Sequence, residues 1–465
     1  MRPVLTPKQM RVLDTEATTA GTPIEILIGR AGAAVARAAK RMMGGLYGRT
    51  VVVITGKGNN GADGRVTARL LADQGVRVHV IDAEHMPLRL PVSDLIIDAA
   101  FGTGFRGDWS PPATKGVPVL AVDIPSGIDG LTGLAAPDTW QATRTVTFVA
   151  LKPGLLLGAG RALCGEVELV DIGINLGMGN VDINEVERSD VSQWVPQRPF
   201  DSHKWKAALY AVAGSSGMMG AANLCSASAM RAGAGIVHVA SPGIVSDRST
   251  STEIVRRALP ALGWSHEVLD DLSRFKAIVI GPGLGRDEGT VSETRRIIAG
   301  AHIPMVIDGD GLFAVAWGGE GARDIVRSRA AGTVLTPHDG EYTTLLGYAP
   351  SHDRITSARR LASDTNCVCL LKGTTTVVAE PSGEVLMVAN GDQRLATAGT
   401  GDVLAGIIGA LLAQGVEPFH AAASGAWIHG YAASLFTAHE GLIASDLVDL
   451  IPLALSHMRH VGSQD

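Results

Sequence analysis

The spacing of hydrophobic positions changes several times along the chain, and each change marks an element. Near the start, Met10, Leu13 and Ala17 recur at helical spacing behind Thr6 and Pro7. A threonine can accept a backbone N–H at a helix start and a proline suits the first helical position, so a helix is predicted from residue 7. A second helix is predicted to end near Met43. The pattern then switches to dense Val and Ile runs. RTVVVITGKGNNGADGRVTARLLADQGVRVHVID reads as strand, glycine loop, helix and strand, about the length of one βαβ unit. Further strands are predicted in DLIIDAAFG, PVLAVDIPSG, TRTVTFVA and GEVELVDIG. Parallel strands separated by helices imply a sheet covered on both faces.

Residues 176–205 break this rhythm, with Pro196, Pro199 and several Asp and Asn residues. The rhythm restarts in WKAALYAVAGSSG, GIVHVAS, KAIVIGPGLG, PMVIDGDGL, AGTVLTPHDGE and CVCLLKGTTTVVAE, again with helices between. The expected organisation is two α/β domains, residues 1–190 and 206–465, joined by a linker over 191–205. A chain of 465 residues fits two to three domains by length.

Composition narrows the classes. Hydrophobic content of 46% with 57 glycines and 4% aromatic residues suits α/β domains with many tight turns. The net charge of −6, with scattered basic residues, argues against a nucleic-acid surface and for small-molecule partners. Four cysteines, at 164, 225, 367 and 369, include no C-x-x-C pair, so metal and disulfide roles are not expected. The first twenty residues carry charges throughout, and no apolar run approaches the roughly 18 residues of a bilayer span, so no membrane partner and a cytoplasmic location are expected.

Two loops carry the chemistry. ATAGTGDVLAGIIGALLAQG (396–415) is a glycine turn that ends in Asp402 and runs into an apolar helix. Gly399 and Gly401 let backbone N–H groups crowd at the helix N-terminus, where the macrodipole favours an anion such as phosphate. A carboxylate on that rim is badly sited to hold phosphate. It is well sited to take a proton from a hydroxyl that attacks one. A capped helix is the simpler alternative.

The other loop matches G-x-G-x-x-G at Gly56, Gly58 and Gly61 after a strand, with Asp82 about twenty residues on, which is a Rossmann-like signature. A dinucleotide loop needs only backbone N–H groups, yet this one also offers Asn59, Asn60 and Asp63. Such side chains suit a hard cation or hydrogen bonds to a sugar or phosphate. Asp98 and the pair Asp123 and Ser126 stand at two further strand ends, and in a parallel sheet such ends converge on one crevice.

With these residues in view, the first half resembles the NAD(P)H-hydrate epimerase family, through GNNGADG, DAAFGTG, VDIPSG and LKPGLLLG (151–158). Ala62 stands where that family has glycine. The second half resembles the NAD(P)H-hydrate dehydratase family, which has a ribokinase-like fold, through GPGLG (281–285), TPHDGE (336–341), LKGTTT (371–376) and GTGDVLAG (399–406). The order is that of the bacterial bifunctional family. It implies a Rossmann-like α/β/α sandwich followed by a ribokinase-like α/β domain.

The resemblance implies repair of NADH and NADPH that have added water across a nicotinamide double bond. The first half would interconvert the R and S hydrates, binding them with Asn59, Asn60, Gly61, Ala62, Asp63, with Gly102, Thr103, Gly104, Phe105, Arg106, Gly107, Asp108, and with Asp123, the candidate for proton transfer. A potassium ion would sit on Asn60, Asp98 and Ser126. The second half would dehydrate the S form with ADP and magnesium. Asp402 would be the base, Gly283 and His338 would line the hydrate pocket, and Lys372, Gly373, Thr374, Thr375, Thr376, Gly399, Thr400 and Gly401 would hold the nucleotide. A homo-oligomer is expected from the family. The chain departs from the family at Asp339, Gly309, Gly311 and Phe313, which bears on the dehydratase pocket, and at Leu27 to Gly29, expected to bear on dimer packing. The rival reading is a ribokinase-like small-alcohol kinase fused to a non-catalytic domain.

Overall fold

The computed structural model describes residues 1–177, 181–244, 253–316 and 320–459. The chain divides into two compact units, Arg2–Ile183 and Asn184–Asp465, with Met1 grouped with the second. The division falls ahead of the expected one. Residues 188–194 form a helix, Arg188–Trp194, and Val186, Val191 and Val195 are buried in the apolar core of the second unit. Part of the expected linker is therefore structure; residues 178–180 of the aperiodic stretch lie outside the described residues.

In the first unit Thr6 caps the helix Pro7–Thr19 in a reciprocal capping box with Gln9, as its sequence predicts. The second helix, Ile24–Met43, ends at Gly44 in the left-handed conformation. The sheet has six parallel strands in the order Arg77–Asp82, Thr50–Thr55, Leu95–Ala99, Val119–Val122, Arg144–Phe148, Glu166–Val170. The chain reverses its direction of travel across the sheet between Thr50–Thr55 and Leu95–Ala99, so a crevice opens outside the carboxyl ends of those two strands. Helices cover one face, with Leu27, Val35 and Leu71 packed on Val51, Val53, Ile97 and Leu120. The crossovers at 100–118 and 123–143 contain no helix. They cover the other face with Trp109 and Trp140, which meet edge to face with centroids 6.1 Å apart.

The sheet of the second unit runs Val385–Val388, Thr376–Ala379, Val368–Leu371, Thr333–Leu335, Met305–Ile307, Ala277–Ile280, Ala208–Val212, Ile236–Pro242, Val255–Leu259. All neighbours are parallel except the first two pairs, which form an antiparallel meander. The helix Thr400–Ala413 is buried almost all round, which is why its sequence shows no polar stripe. It lies so close to the helix Met219–Arg231 that a Cβ on Gly406 would overlap the Cys225 carbonyl oxygen. All four cysteines are buried free thiols. Among the described residues no helix is long and apolar enough to cross a membrane.

Candidate active sites

The crevice of the first unit holds a cavity of about 600 Å³. Its floor is the loop after Thr50–Thr55, where a Cβ on Gly61 would overlap the Gly56 carbonyl oxygen and one on Gly56 would overlap that of Ala100. Only glycine permits both approaches. The helix Asn59–Asp73 starts inside this loop, with Asn60 in its first turn and Asp63 at the start of its second, and both are buried. Asn59, Asn60, Asp63, Asp123 and residues 102–106 of the loop 102–108 line the cavity; Gly61, Ala62, Gly107 and Asp108 do not. Leu27 and Ile28 also line it, so two residues of the departure at Leu27 to Gly29 face the site.

Asp98 is fully buried and accepts from Ser126 N (2.8 Å) and Ser126 Oγ (2.5 Å). Burial nevertheless raises its pKa, the hydrogen bonds from Ser126 only partly offsetting it. Ser126 Oγ also accepts from Phe101 N at 2.9 Å, tying two strand ends together. Asn60 Oδ1 and Nδ2 are buried without a hydrogen-bond partner, which leaves amide groups in need of a ligand. Asp123 sits at φ +67°, a costly conformation for a non-glycine residue. Its Oδ1 accepts from Lys152 Nζ at 2.5 Å and from Thr147 Oγ1 at 3.1 Å. Lys152, only 1% exposed, was not singled out from the sequence, although it stands in the LKPG motif just ahead of a helix that opens with Pro153.

In the second unit the strand ends again converge. Lys372 follows Val368–Leu371 and donates to Asp308 Oδ1 at 2.6 Å; Thr336 Oγ1 donates to the same oxygen at 2.7 Å. Burial pulls the Lys372 ammonium down, but Asp308 and Glu341 more than offset it, and its pKa is raised. A Cβ on Gly401 would lie 3.4 Å from Lys372 Nζ, so Gly401 brings the helix N-terminus against this pair. Gly399, at φ +89°, sets the entry into the helix, and Thr400 Oγ1 donates to Leu395 O at 2.8 Å. Asp402 is half-buried, and its pKa is pushed up to about 6 by burial and then by Asp308, with Lys372 acting in the opposite sense. The structure thus brings together Lys372, Gly401, Asp402 and Asp308, the last missed from sequence because it was weighed only as part of the altered VIDGDGLF.

The other expected residues surround this centre. Gly283, at φ +61°, presents its carbonyl to Ser215 Oγ (2.9 Å). Asp310 holds Gly285 N (2.8 Å) and Arg286 (2.7 Å), and Arg286 lies over the ring of Phe313, one of the departures. His338 caps the helix Asp339–Leu346: its Nδ1 accepts from Gly340 N and Glu341 N, leaving the ring exposed. Asp339 occupies the first helical position, where proline fits equally well, and pairs with Arg354 (2.9 Å). Gly373 and Thr374 are exposed, Thr375 is buried and Thr376 begins a strand. His429, also not anticipated, is buried with Nε2 unpartnered, and burial pushes it down to about 4. Among the described residues no three His, Cys, Asp or Glu side chains are grouped to hold a metal.

Two doubly wound α/β units, each with its site at a row of strand carboxyl ends, and the second with a ribokinase-like fold, define a fused enzyme of small-molecule metabolism. Family models agree with this division: residues 24–90 and 81–154 match "YjeF-related protein N-terminus", and residues 209–453 match "NAD(P)H-hydrate dehydratase". The chain is 34% identical to the bifunctional NAD(P)H-hydrate repair enzyme of Moorella thermoacetica, covering 94% of this chain and 93% of that one. It is 32% identical to that of Escherichia coli, over 85% and 83%. The ADP/ATP-dependent NAD(P)H-hydrate dehydratase of Bacillus subtilis, co-crystallised with ATP and Mg²⁺, superposes with a TM-score of 0.50 at 26% identity, over 60% of this chain and 99% of that one. A ribokinase-like protein of Enterococcus faecalis, 21% identical, gives 0.52 over 60% and 96% and shows the same fold. The chain belongs to the family of bifunctional NAD(P)H-hydrate repair enzymes.

Proposed function

We propose that the unit Arg2–Ile183 interconverts the R and S hydrates of NADH and NADPH, and that the unit Asn184–Asp465 dehydrates the S hydrate with ADP, giving AMP and phosphate. The observation that carries this reading is Asp402 beside Lys372 and Gly401 at a helix N-terminus. The N–H groups there receive the phosphate, Lys372 adds positive charge, and Asp402 takes the proton from the hydrate hydroxyl as that oxygen attacks. The phosphorylated oxygen then leaves far more readily than hydroxide. Magnesium, when bound, would neutralise charge on the transferring phosphoryl group, held by phosphate oxygens and one or two of the local carboxylates. The reading places the enzyme in the cytoplasm, where reduced coenzymes are used, with a homo-oligomer as its expected assembly.

The test is to give the purified protein both hydrates with ADP or ATP and magnesium and to follow the return of reduced-nicotinamide absorbance. Full recovery requires both units, and ADP should serve best. No recovery with either nucleotide sinks the proposal.

In the first unit the residue types fit a potassium ion: Asn60 Oδ1, unpartnered and lining the cavity, and the mutually bonded Asp98 carboxylate and Ser126 Oγ are hard oxygen donors. Replacing potassium by choline should slow R–S interconversion at least about tenfold without slowing dehydration of pure S hydrate, and Asn60→Ala should flatten that dependence. Equal rates in the two salts would remove potassium from the site.

A further inference from the structure

The cavity of the first unit holds carboxyl groups in two different situations. The Asp123 carboxylate is held at one oxygen: Lys152 and Thr147 both donate to Oδ1, and Lys152 spends its remaining donors on Thr147 Oγ1 (2.8 Å) and Phe148 O (3.0 Å). Lys152 is therefore no nucleophile; it is a buried counter-charge with its position fixed. Asp63 faces the same cavity from the second turn of the helix Asn59–Asp73, 7% exposed, and its carboxyl has no hydrogen-bond partner among the described residues. Its charged neighbours are Asp123 and Asp14, which repel a negative charge, and Lys152, already paired with Asp123.

We infer that Asp63 is the catalytic acid of the epimerase unit, that Asp123 is its complementary base, and that Lys152 is the positioning residue that pins the Asp123 carboxylate through Oδ1. This rests on the epimerase reading above. Burial first, then Asp123 and Asp14, push the Asp63 carboxyl up to about 8, so it carries a proton at neutral pH. Of the two carboxyl groups, the one facing the cavity without an ammonium partner is suited to give a proton, and the one paired with Lys152 to take one.

The hydroxyl-bearing carbon of the hydrate is bonded to the ring nitrogen, which determines the step. The Asp63 proton passes to the hydroxyl oxygen, and the C–O bond breaks with its electron pair leaving on water. The nitrogen lone pair forms a C=N bond. A water oxygen then forms a new C–O bond on the opposite face, the C=N pair returns to nitrogen, and the proton shed by that water goes to the Asp123 carboxylate. Proton exchange with cavity water restores the starting state, and the reverse reaction exchanges acid and base.

The test follows R–S interconversion of the full chain by chromatography, with dehydration of pure S hydrate as the folding control. Asp63→Asn should lower the interconversion rate by about 10²–10⁴-fold. Lys152→Met should lower kcat at least about tenfold with KM moved less than about threefold, since it acts through Asp123. The unmutated protein supplies a check that needs no variant: its rate should fall as pH rises through about 8, where Asp63 loses its proton. In ¹⁸O water each inverted molecule should carry solvent oxygen. Asp63→Asn at the wild-type rate, a profile flat from pH 6 to about 9.5, or inversion without label overturns the inference. A wild-type protein that leaves the R–S ratio unchanged would instead overturn the epimerase reading itself.

Discussion

Asp402→Asn is expected to lower dehydration of the S hydrate by about 10²–10⁴-fold in kcat while R–S interconversion continues, because an amide cannot accept the hydroxyl proton. Burial and Asp308 push the Asp402 carboxyl up to about 6, close enough to neutrality for an efficient base and low enough to leave it mostly ionised. Since the reaction needs the carboxylate, the wild-type rate should fall as pH drops through about 6 and level off above it. The same shift has a stability consequence of opposite sign to that of a paired carboxylate. The folded state binds this proton more tightly than the unfolded chain, whose value is near 3.8, so ionised Asp402 destabilises the fold above pH 6 and contributes nothing below about 4. Asp402→Asn should therefore be more heat-stable than wild type at pH 7–8, by about 1–3 kcal/mol, with the gain fading as pH falls from 6 to 4. Normal turnover in the variant would remove Asp402 as the base. Loss of activity with a lowered Tm would report damage to the structure.

The parts of the fold that were legible in the sequence are those with a strong local pattern. Runs such as VVVI at 51–54 and AIVI at 277–280 can be little else than buried parallel strands, and the residues just after them had to meet at the crevices. The covering of the second face of the first sheet was not legible. It is made by irregular crossovers whose tryptophans, Trp109 and Trp140, follow no period. The domain boundary was misplaced because Arg188–Trp194 spans only two turns, too few for a helical stripe to show, and its attachment depends on Val186, Val191 and Val195 meeting a distant core.

The sites show the same division. Asp402 and Asn60 stand in the first turns of helices entered through glycine loops, and Asp123 follows a strand in the VDIPSG motif, so the local sequence announces all three. Lys152 and Asp308 draw their importance from partners 29 and 64 residues away, and nothing near either one in the sequence reports that it will be buried against an opposite charge. His338 shows a third case. Its motif pointed to a pocket, and its ring nitrogen closes a helix N-terminus through two backbone N–H groups, a task that any acceptor of the right length performs and that no local spacing reveals.

Lys372→Met is the second large effect expected, and it should act on stability and catalysis together. The Asp308 side chain is 4% exposed and that of Lys372 21%, so removing the ammonium strands a carboxylate that, among the described residues, only Thr336 still serves. Breaking such a pair costs about 3–5 kcal/mol, because the charge that remains is buried without compensation. Asp308→Asn combined with Lys372→Met should cost less than the two single changes summed, since the double variant leaves no lone charge. The catalytic arm follows from Asp402, whose ionisation Lys372 favours and Asp308 opposes. Without the ammonium the acidic limb of the dehydration rate should move above pH 6, and the KM for nucleotide should rise as the phosphates lose a positive partner. Asp308→Asn with Lys372 intact should move that limb below 6. Opposite displacements of one limb by the two variants would identify Asp402 as the group that titrates. A limb that stays at about 6 in both would show that the titrating base lies elsewhere.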